Sequence, residues 1–362
     1  NSNTTGESTT NQSGSPLTNT ITNNTTVQQV LVYTVTPTSN PEGCAGSPQT
    51  VSVTVDPLPV LSSTLTPAAI CSATTFTYSA TSATPGATFA WSRSSQGGIA
   101  EVGTSGVGNV SEVLTNTTSS AVNVTYFYIT TASGCSGASQ NVVVSVNPTP
   151  HLSSTLTPSP ICSATNFAYT PTSTVGGSSF SWSRASQADI VESGTSGNGN
   201  VSETLTNTAA TDVTVSYEYT ITANGCSGMD IIYADVRPNP QGDFIGNTRC
   251  GPDITSFGKL TWISTAGTGN FDLEYLPDSK TNVVNGVSYT ITAGTPTVDS
   301  TYTLTKVTDS YGCIRTSGFT TGTATITVTG GAPIVPTPGT PAFATTCSGV
   351  TASFHSQATN VN

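Results

Sequence analysis

Val122-Asn-Val-Thr-Tyr-Phe-Tyr-Ile-Thr130 decides the fold, because its large apolar residues recur at every second position. In an extended chain residues two apart share a face, so Val122, Val124, Tyr126 and Tyr128 form one side of a strand. The other side carries Asn123, Thr125 and Phe127. At an offset of 91 residues the chain repeats itself with Val213, Val215, Tyr217 and Tyr219 on the same parity. The opposite parity there has changed to Thr214, Ser216 and Glu218. A face that is kept is a core face, and a face that drifts needs only to be soluble.

Working outward, the same offset of 91 relates Leu61-Ser-Ser-Thr-Leu-Thr-Pro67 to Leu152–Pro158, Phe89-Ala-Trp91-Ser-Arg93 to Phe180–Arg184, and Gly108-Asn-Val-Ser-Glu112 to Gly199–Glu203. Internal repetition of this kind means tandem domains. Residues 57–147 and 148–238 read as complete repeats. Residues 1–56 read as the C-terminal half of one, with Leu17-Thr-Asn-Thr20 matching Leu114–Thr117 and Cys44 matching Cys135. Residues 239–332 read as a divergent repeat, and 333–362 as a linker with the start of another. The chain is therefore expected to begin and end in mid-domain. The joints Asp56-Pro-Leu-Pro59, Asn147-Pro-Thr-Pro150 and Arg237-Pro-Asn-Pro240 favour extended polyproline geometry and are expected to act as stiff spacers; Pro333 to Pro341 is expected to form a longer elbow.

Within 57–147 strands are expected around Leu61–Leu65, Thr75–Ala80, Thr88–Arg93, Ile99–Val102, Val110–Thr115, Val122–Thr130 and Gln140–Val146. Seven short strands with turn residues between them predict an all-β sandwich, and the chain as a whole an elongated rod of such sandwiches joined by short Pro-rich linkers. Trp91 and Trp182, with Tyr126, Tyr128, Tyr217 and Tyr219, are the expected core anchors. Arg93 and Arg184 recur in register with Glu101, Glu112, Glu192 and Glu203, which predicts a repeated ion pair worth about 1 kcal/mol or less if exposed.

Composition narrows the function. Only 7% of the 362 residues are Asp, Glu, Lys or Arg, against roughly 25% in an ordinary soluble protein. Eight basic residues face nineteen acidic ones without a basic cluster, so the electrostatic attraction that nucleic-acid binding needs is absent. No apolar run of membrane-spanning length and no signal peptide occurs.

Eight Cys without C-x-x-C spacing argue for disulfides and an oxidising, extracellular setting. Closing each repeat on itself pairs Cys71 with Cys135, Cys162 with Cys226 and Cys250 with Cys313, at separations of 64, 64 and 63. Cys44 and Cys347 then find partners outside this stretch. A geometric objection stands against this assignment. In the simple seven-stranded order, a Cys before the second strand and one in the last turn lie at opposite ends of the sandwich, beyond the roughly 4.4–6.8 Å Cα separation a disulfide tolerates. Either the strand order or the position of the first Cys differs from that template, or the bridges run between neighbouring domains.

Catalytic chemistry finds no purchase. His151 and His355 are the two histidines, and His151 falls in a joint where the preceding repeat has Val60. No nucleophile elbow, phosphate loop or zinc-helix motif occurs, so the chain is not expected to be an enzyme and no cofactor is expected. Asp272, Glu274 and Asp278 offer weak support for Ca2+ at a strand edge, and a solvated strand edge is the favoured account of them. Asp299-Ser300-Thr301 has the form of a short O-glycosylation motif centred on Ser300. A sugar-binding platform would need exposed aromatics, of which Phe127 is the local candidate, and Glu218 at its place in the next repeat counts against a shared site.

The pattern of Ile70-Cys-Ser-Ala-Thr74, Trp91-Ser-Arg93, Gly108–Glu112, Leu114-Thr-Asn-Thr117, Tyr217-Glu-Tyr-Thr-Ile-Thr-Ala-Asn-Gly-Cys-Ser-Gly228 and Val146-Asn-Pro148 resembles the PKD-like and immunoglobulin-like repeats of giant Bacteroidetes surface proteins, among them gliding-motility adhesins of flavobacteria. The resemblance implies type IX secretion, an extracellular location on the bacterial cell surface, and a structural or adhesive role in a filament. Partners implied are a surface polysaccharide or solid substratum, other copies of the same protein, or the outer-membrane motility machinery. The alternatives are a passive stalk for a secreted hydrolase and a carbohydrate-binding array. With eight Lys and Arg in the whole chain and stapled domains, the intact protein is expected to resist trypsin; rapid digestion under non-reducing conditions would contradict this reading.

Overall fold

The computed structural model describes residues 3–8, 10, 12, 18–251, 257–291 and 296–330, and every regular element in them is a β-strand. The chain divides into two compact units. The first comprises Asn1–Ser153, Thr172–Ser179 and Thr220–Met229, and the second Ser154–Pro171, Phe180–Tyr219 and Asp230–Asn362.

In the first unit, residues 57–147 build a sandwich from the alternation described above. The larger sheet runs in the order Ile70–Cys71, Gln140–Asn147, Val122–Ala132, Thr88–Arg93 and Thr104–Val107, with Cys135–Ser136 folded back on the central strand. The smaller sheet pairs Thr74–Tyr78 with Val110–Leu114. Ladders are antiparallel except one: Ile70–Cys71 lies parallel to the last strand, Ile70 opposite Val146 and Cys71 opposite Asn147. Between the sheets Val124, Tyr126, Tyr128, Val142, Val144 and Val146 meet Phe76, Tyr78, Val110 and Leu114, all buried. Phe76 lies 5.4 Å from Tyr126 and Tyr78 lies 5.4 Å from Tyr128, centroid to centroid, which is a favourable tilted contact.

Two expected strands are not strands. Leu61–Leu65 is irregular; Leu61 is buried and its amide donates to the Gln140 side chain at 2.6 Å, while the Leu65 carbonyl accepts from Val143. Ile99–Val102 contributes a single bridge, Ile99 to Asn116, because Gly98 turns the chain at φ 86° just before it. Ile70–Cys71 and Thr104–Val107 take strand positions instead. In the joints, Pro57, Pro59, Pro148, Pro150, Pro238 and Pro240 are buried.

The second repeat reproduces this order with Ile161–Cys162, Cys226–Arg237, Val213–Ala223, Ser179–Arg184 and Thr195–Asn198, and its small sheet pairs Thr165–Tyr169 with Val201–Leu205. Residues 239–332 use a three-stranded sheet of Gln241–Gly246, Lys259–Ala266 and Tyr289–Thr290, facing one centred on Thr323–Thr329, Ser300–Thr308 and Phe271–Leu276. Trp262 is fully buried there against Phe271.

In the N-terminal stretch Gln29–Val35 pairs with Gln49–Val55, as Val122–Ala132 pairs with Gln140–Asn147. Asn23 fixes the register. Its amide donates to Val27 O and Val55 O, as Asn116 donates to Ser120 O and Val146 O and Asn207 to Thr211 O and Val236 O. The structural partner of Asn116 is thus Asn23 rather than Asn19, which corrects the register read from Leu17–Thr20; Leu17 itself lies outside the described residues.

Trp91 is only half-buried, whereas Trp182 is buried. Both indoles pack edge-on to the core tyrosines, Trp91 at 5.7 Å from Tyr126 and Trp182 at 5.6 Å from Tyr217. Their outer edges lie over glycines of the neighbouring strand, where a Cβ on Gly106 would stand 2.7 Å from Trp91 and one on Gly197 2.8 Å from Trp182. Gly106→Val is therefore expected to destabilise its repeat by about 1–3 kcal/mol through overpacking, read as a lower midpoint in urea with an unchanged slope.

Candidate functional site

The cysteines form bridges other than the within-repeat pairs expected from register. Cys71 bonds Cys226, with Cα atoms 5.6 Å apart, and Cys162 bonds Cys313 at 5.4 Å. Cys250 is disulfide-bonded as well, and Cys347 lies outside the described residues. Cys135 and Cys44 are free thiols. The reason is the parallel pairing of Ile70–Cys71: it places Cys71 beside Asn147, at the exit of the last strand. Cys135 precedes that strand, whose residues Gln140 to Asn147 span roughly 20–25 Å at the ordinary rise. Cys71 can reach only the turn that follows the joint.

Each joint is built around its bridge. In the first unit the Ser72 amide donates to Asn147 O, the Asn147 side-chain amide donates to Asn224 O at 3.0 Å, and the Pro150 carbonyl lies so close over Gly228 that any Cβ there would collide with it. The turn carrying Cys226 owes its shape to Asn224 and Gly225, at φ 51° and 77°. In the second unit Arg237 stacks its guanidinium 3.5 Å from the centre of the Tyr311 ring, Arg315 donates to Pro240 O at 2.6 Å, and Asn239 donates to Ser163 O. Asn147, Gly228, Arg237, Asn239 and Arg315 thus hold the joints.

The second constellation lies inside each repeat. Arg93 donates through Nε to Glu112 at 3.2 Å and through Nη2 to Val102 O at 2.8 Å; Tyr126 donates its hydroxyl to the same carboxylate. Arg184, Glu203 and Tyr217 repeat the arrangement. The repeated ion pair expected from register is present with Glu112 as the partner, and it is not the exposed kind: the Arg93 side chain is 1% exposed and that of Glu112 17%. Glu101 offers Arg93 only its backbone carbonyl, and its carboxylate accepts from the Thr115 amide. Burial pushes the Glu101 carboxyl up, but the hydrogen bonds from Thr115 outweigh it and hold the group below its ordinary value; Glu192 with Thr206 behaves alike. Desolvation, followed by the hydrogen bond to Glu112 and its charge, drives the Tyr126 phenol far above its ordinary value, and Tyr217 follows with Glu203. Tyr128, raised chiefly by desolvation, is pushed up to about 12.

The sequence reading missed Asn116, Asn207 and their serines. Ser72 Oγ accepts from the Asn116 amide at 2.9 Å and donates to its carbonyl, and Ser163 does the same for Asn207. The visible signal was the recurrence of Leu-Thr-Asn-Thr, which carried no role until the fold brought it beside Ser72. The remaining candidates stay apart. His151 is exposed in its joint, and His355 lies outside the described residues. Asp272 accepts from the Asn282 amide, Glu274 pairs with Lys306 at 2.9 Å, and Asp278 accepts from the Ser279 amide. Among the described residues no three His, Cys, Asp or Glu side chains are grouped to hold a metal. Ser300 opens a strand, half-buried, with its hydroxyl donating to Val298 O. Phe127 is 40% exposed beside Ile129 on the outer face.

A PKD-like domain family model matches residues 1–59, 68–150 and 159–241, together more than half of the chain. Among solved structures, an I-band fragment of titin aligns at 13% identity with a TM-score of 0.31, over 75% of this chain and 99% of that one. The N-terminal eight immunoglobulin domains of Down Syndrome Cell Adhesion Molecule align at 10% identity and a TM-score of 0.38, over 86% and 46%. Extracellular domains 3–5 of Drosophila OTK align at 9% and 0.29, over 73% and 94%. No curated protein sequence matches the chain.

Removing Arg93 alone leaves the half-buried Glu112 without its cation, so Arg93→Ala is expected to cost about 2–4 kcal/mol in urea denaturation, and Arg93→Met with Glu112→Met to recover most of it. Because folding raises the Tyr126 pKa, its contribution is complete below about pH 10 and declines as pH rises beyond that; Tyr126→Phe should reduce the alkaline loss of stability.

Proposed function

Because the chain belongs to the PKD-like domain family, we propose that it is a stapled, structural and adhesive segment of a secreted bacterial surface adhesin, extending a filament that attaches cells to a surface or supports gliding. The observation that carries this reading is the pair of bridges Cys71–Cys226 and Cys162–Cys313, each of which ties one repeat to the domain that follows it. Disulfides of this kind persist outside the reducing cytoplasm, which supports an extracellular, cell-surface location. The resemblance to Bacteroidetes surface repeats supplies export by the type IX system and, at Ser300, O-glycosylation.

A protein that transmits tension between a cell and a surface must not lengthen when pulled. A tethering force entering at Cys71 crosses directly to Cys226 and, through the overlapping bridge, from Cys162 to Cys313, so the loaded path runs over the stretch between Cys162 and Cys226 rather than the whole chain from Cys71 to Cys313. The second bridge, separated by 151 positions, overlaps the first. A break in either repeat therefore leaves the molecule continuous and short. No step of this role requires catalysis. Contact with a polysaccharide coat or solid substratum, with other copies, or with outer-membrane machinery would come from many weak, low-charge faces acting together, of which the outer strand bearing Phe127 and Ile129 is one.

Single-molecule stretching tests the mechanical half of the proposal. Under oxidising conditions the unfolded length should fall short of the full contour; reduction should add at least about 500 Å at roughly 3.5 Å per residue. Equal lengths with and without reductant would overturn it.

A further inference from the structure

Among the described residues, two features of the first unit stand without the counterpart that equivalent features have in the complete repeats. The first is the inner face of the hairpin Gln29–Val35 and Gln49–Val55. Cross-strand pairing puts Leu31 opposite Val53 and Tyr33 opposite Val51, as Val124 stands opposite Val144 and Tyr126 opposite Val142. In the complete repeat those four residues are fully buried. In the hairpin Val51 is 49% exposed, Val53 38% and Val35 45%, around an open depression of about 330 Å³ that Tyr33 and Ile21 also line. The second feature is the free thiol of Cys135. Ser133 and Gly134 have φ 49° and 79°, the shape that Asn224 and Gly225 give the turn of Cys226. The joint before it is also built alike, since a Cβ on Gly137 would collide with Pro59 O as one on Gly228 would with Pro150 O.

In both complete repeats one nine-residue segment fills both places. Ile70-Cys-Ser-Ala-Thr-Thr-Phe-Thr-Tyr78 lays Phe76 and Tyr78 on Tyr126 and Tyr128 of its own sandwich and sends Cys71 to Cys226 in the following turn. Ile161–Tyr169 lays Phe167 and Tyr169 on Tyr217 and Tyr219 and sends Cys162 to Cys313. We infer that the 29–55 hairpin and Cys135 together form a docking site for the front segment of another repeat, of the form Ile-Cys-Ser-Ala-x-x-Phe-x-Tyr. Its Phe covers Tyr33, its Tyr covers Val35, and its Cys bonds Cys135. The inference goes beyond the mechanical role, because it names a coupling site for a further repeat whatever force the assembly transmits. In a secreted setting the bond forms as a disulfide of a thiol oxidoreductase accepts two electrons and the two thiols release two protons.

The test uses the full, oxidised chain and a synthetic peptide of residues Pro67–Ala80, with its cysteine activated as a mixed disulfide with thionitrobenzoate. The Cys135 thiolate attacks the peptide sulfur, a new S–S bond forms, and thionitrobenzoate leaves with the electron pair, so no net oxidation is needed. Exposure alone favours reaction at Cys44, which is exposed where Cys135 is half-buried. The expected result is the reverse: Cys135 reacts at least about tenfold faster, by peptide mapping, because apolar docking holds the peptide in place. Phe76→Ser with Tyr78→Ser in the peptide, or Val51→Asp with Val53→Asp in the protein, should remove that advantage; the two valines are exposed, so the folded chain tolerates the change, and mapping of Cys71–Cys226 confirms it. Equal labelling of Cys44 and Cys135, a Cys135 rate indifferent to the aromatic residues, or protection of 51–55 from hydrogen exchange without a Cys135 adduct would each overturn the proposal.

Discussion

Two residues of parallel pairing govern how this chain is assembled. Ile70–Cys71 beside Val146–Asn147 is the one parallel contact in the first repeat's sandwich, and it carries the front cysteine to the end where the chain leaves the domain. From that place the thiol cannot return to its own last turn, and the next turn lies within disulfide reach. The buried Pro148 and Pro150, the glycine under the Pro150 carbonyl, and the amide of Asn147 line the joint where that turn comes close. In the chain-entropy view a bridge closing so long a loop stabilises the folded state by about 5 kcal/mol. That gain is shared between repeats rather than confined to one.

A chain with so little charge still places some of it at the centre. Arg93 and Glu112 sit against the core tyrosines, and the same three residue types recur in the second repeat. A buried ion pair seldom adds stability over a well-packed apolar substitute, but it is intolerant of partial replacement. Here its geometry joins both sheets, since Arg93 lies on the larger sheet and Glu112 on the smaller. The pair, with the Ser72–Asn116 node, fixes how one sheet sits on the other where Val and Thr faces alone would permit sliding.

These two constraints are those of a PKD-like tandem repeat built for structure, and the proposed role rests on them. Polar groups in the interior are spent on register and on joints, and several acids outside them are bonded to backbone amides, side-chain hydroxyls or cations, as Asp272, Asp235 and Glu274 are. The surface that remains is broad, weakly apolar and poor in charge. Repetition multiplies such a surface, and each bridge ties one repeat to the domain that follows it.

By itself the sequence determined the repeat period, the all-β class, the inner face of the Val122 and Val213 strands and the burial of Tyr126, Tyr128, Tyr217 and Tyr219, because alternation along one strand is a local property. It also placed Arg93 in register with Glu112, though not inside the sandwich. Tertiary structure alone decided which cysteines meet. Register within a repeat proposed Cys71 with Cys135, but a disulfide depends on where strand ends lie in three dimensions, and a two-residue strand beside Asn147 leaves almost no trace in composition. The role of Asn116 was hidden for the same reason, since its partners Ser72 and Val146 are 44 and 30 residues away. Periodicity speaks for a residue's own strand; only the assembled sheets show what stands at its far end.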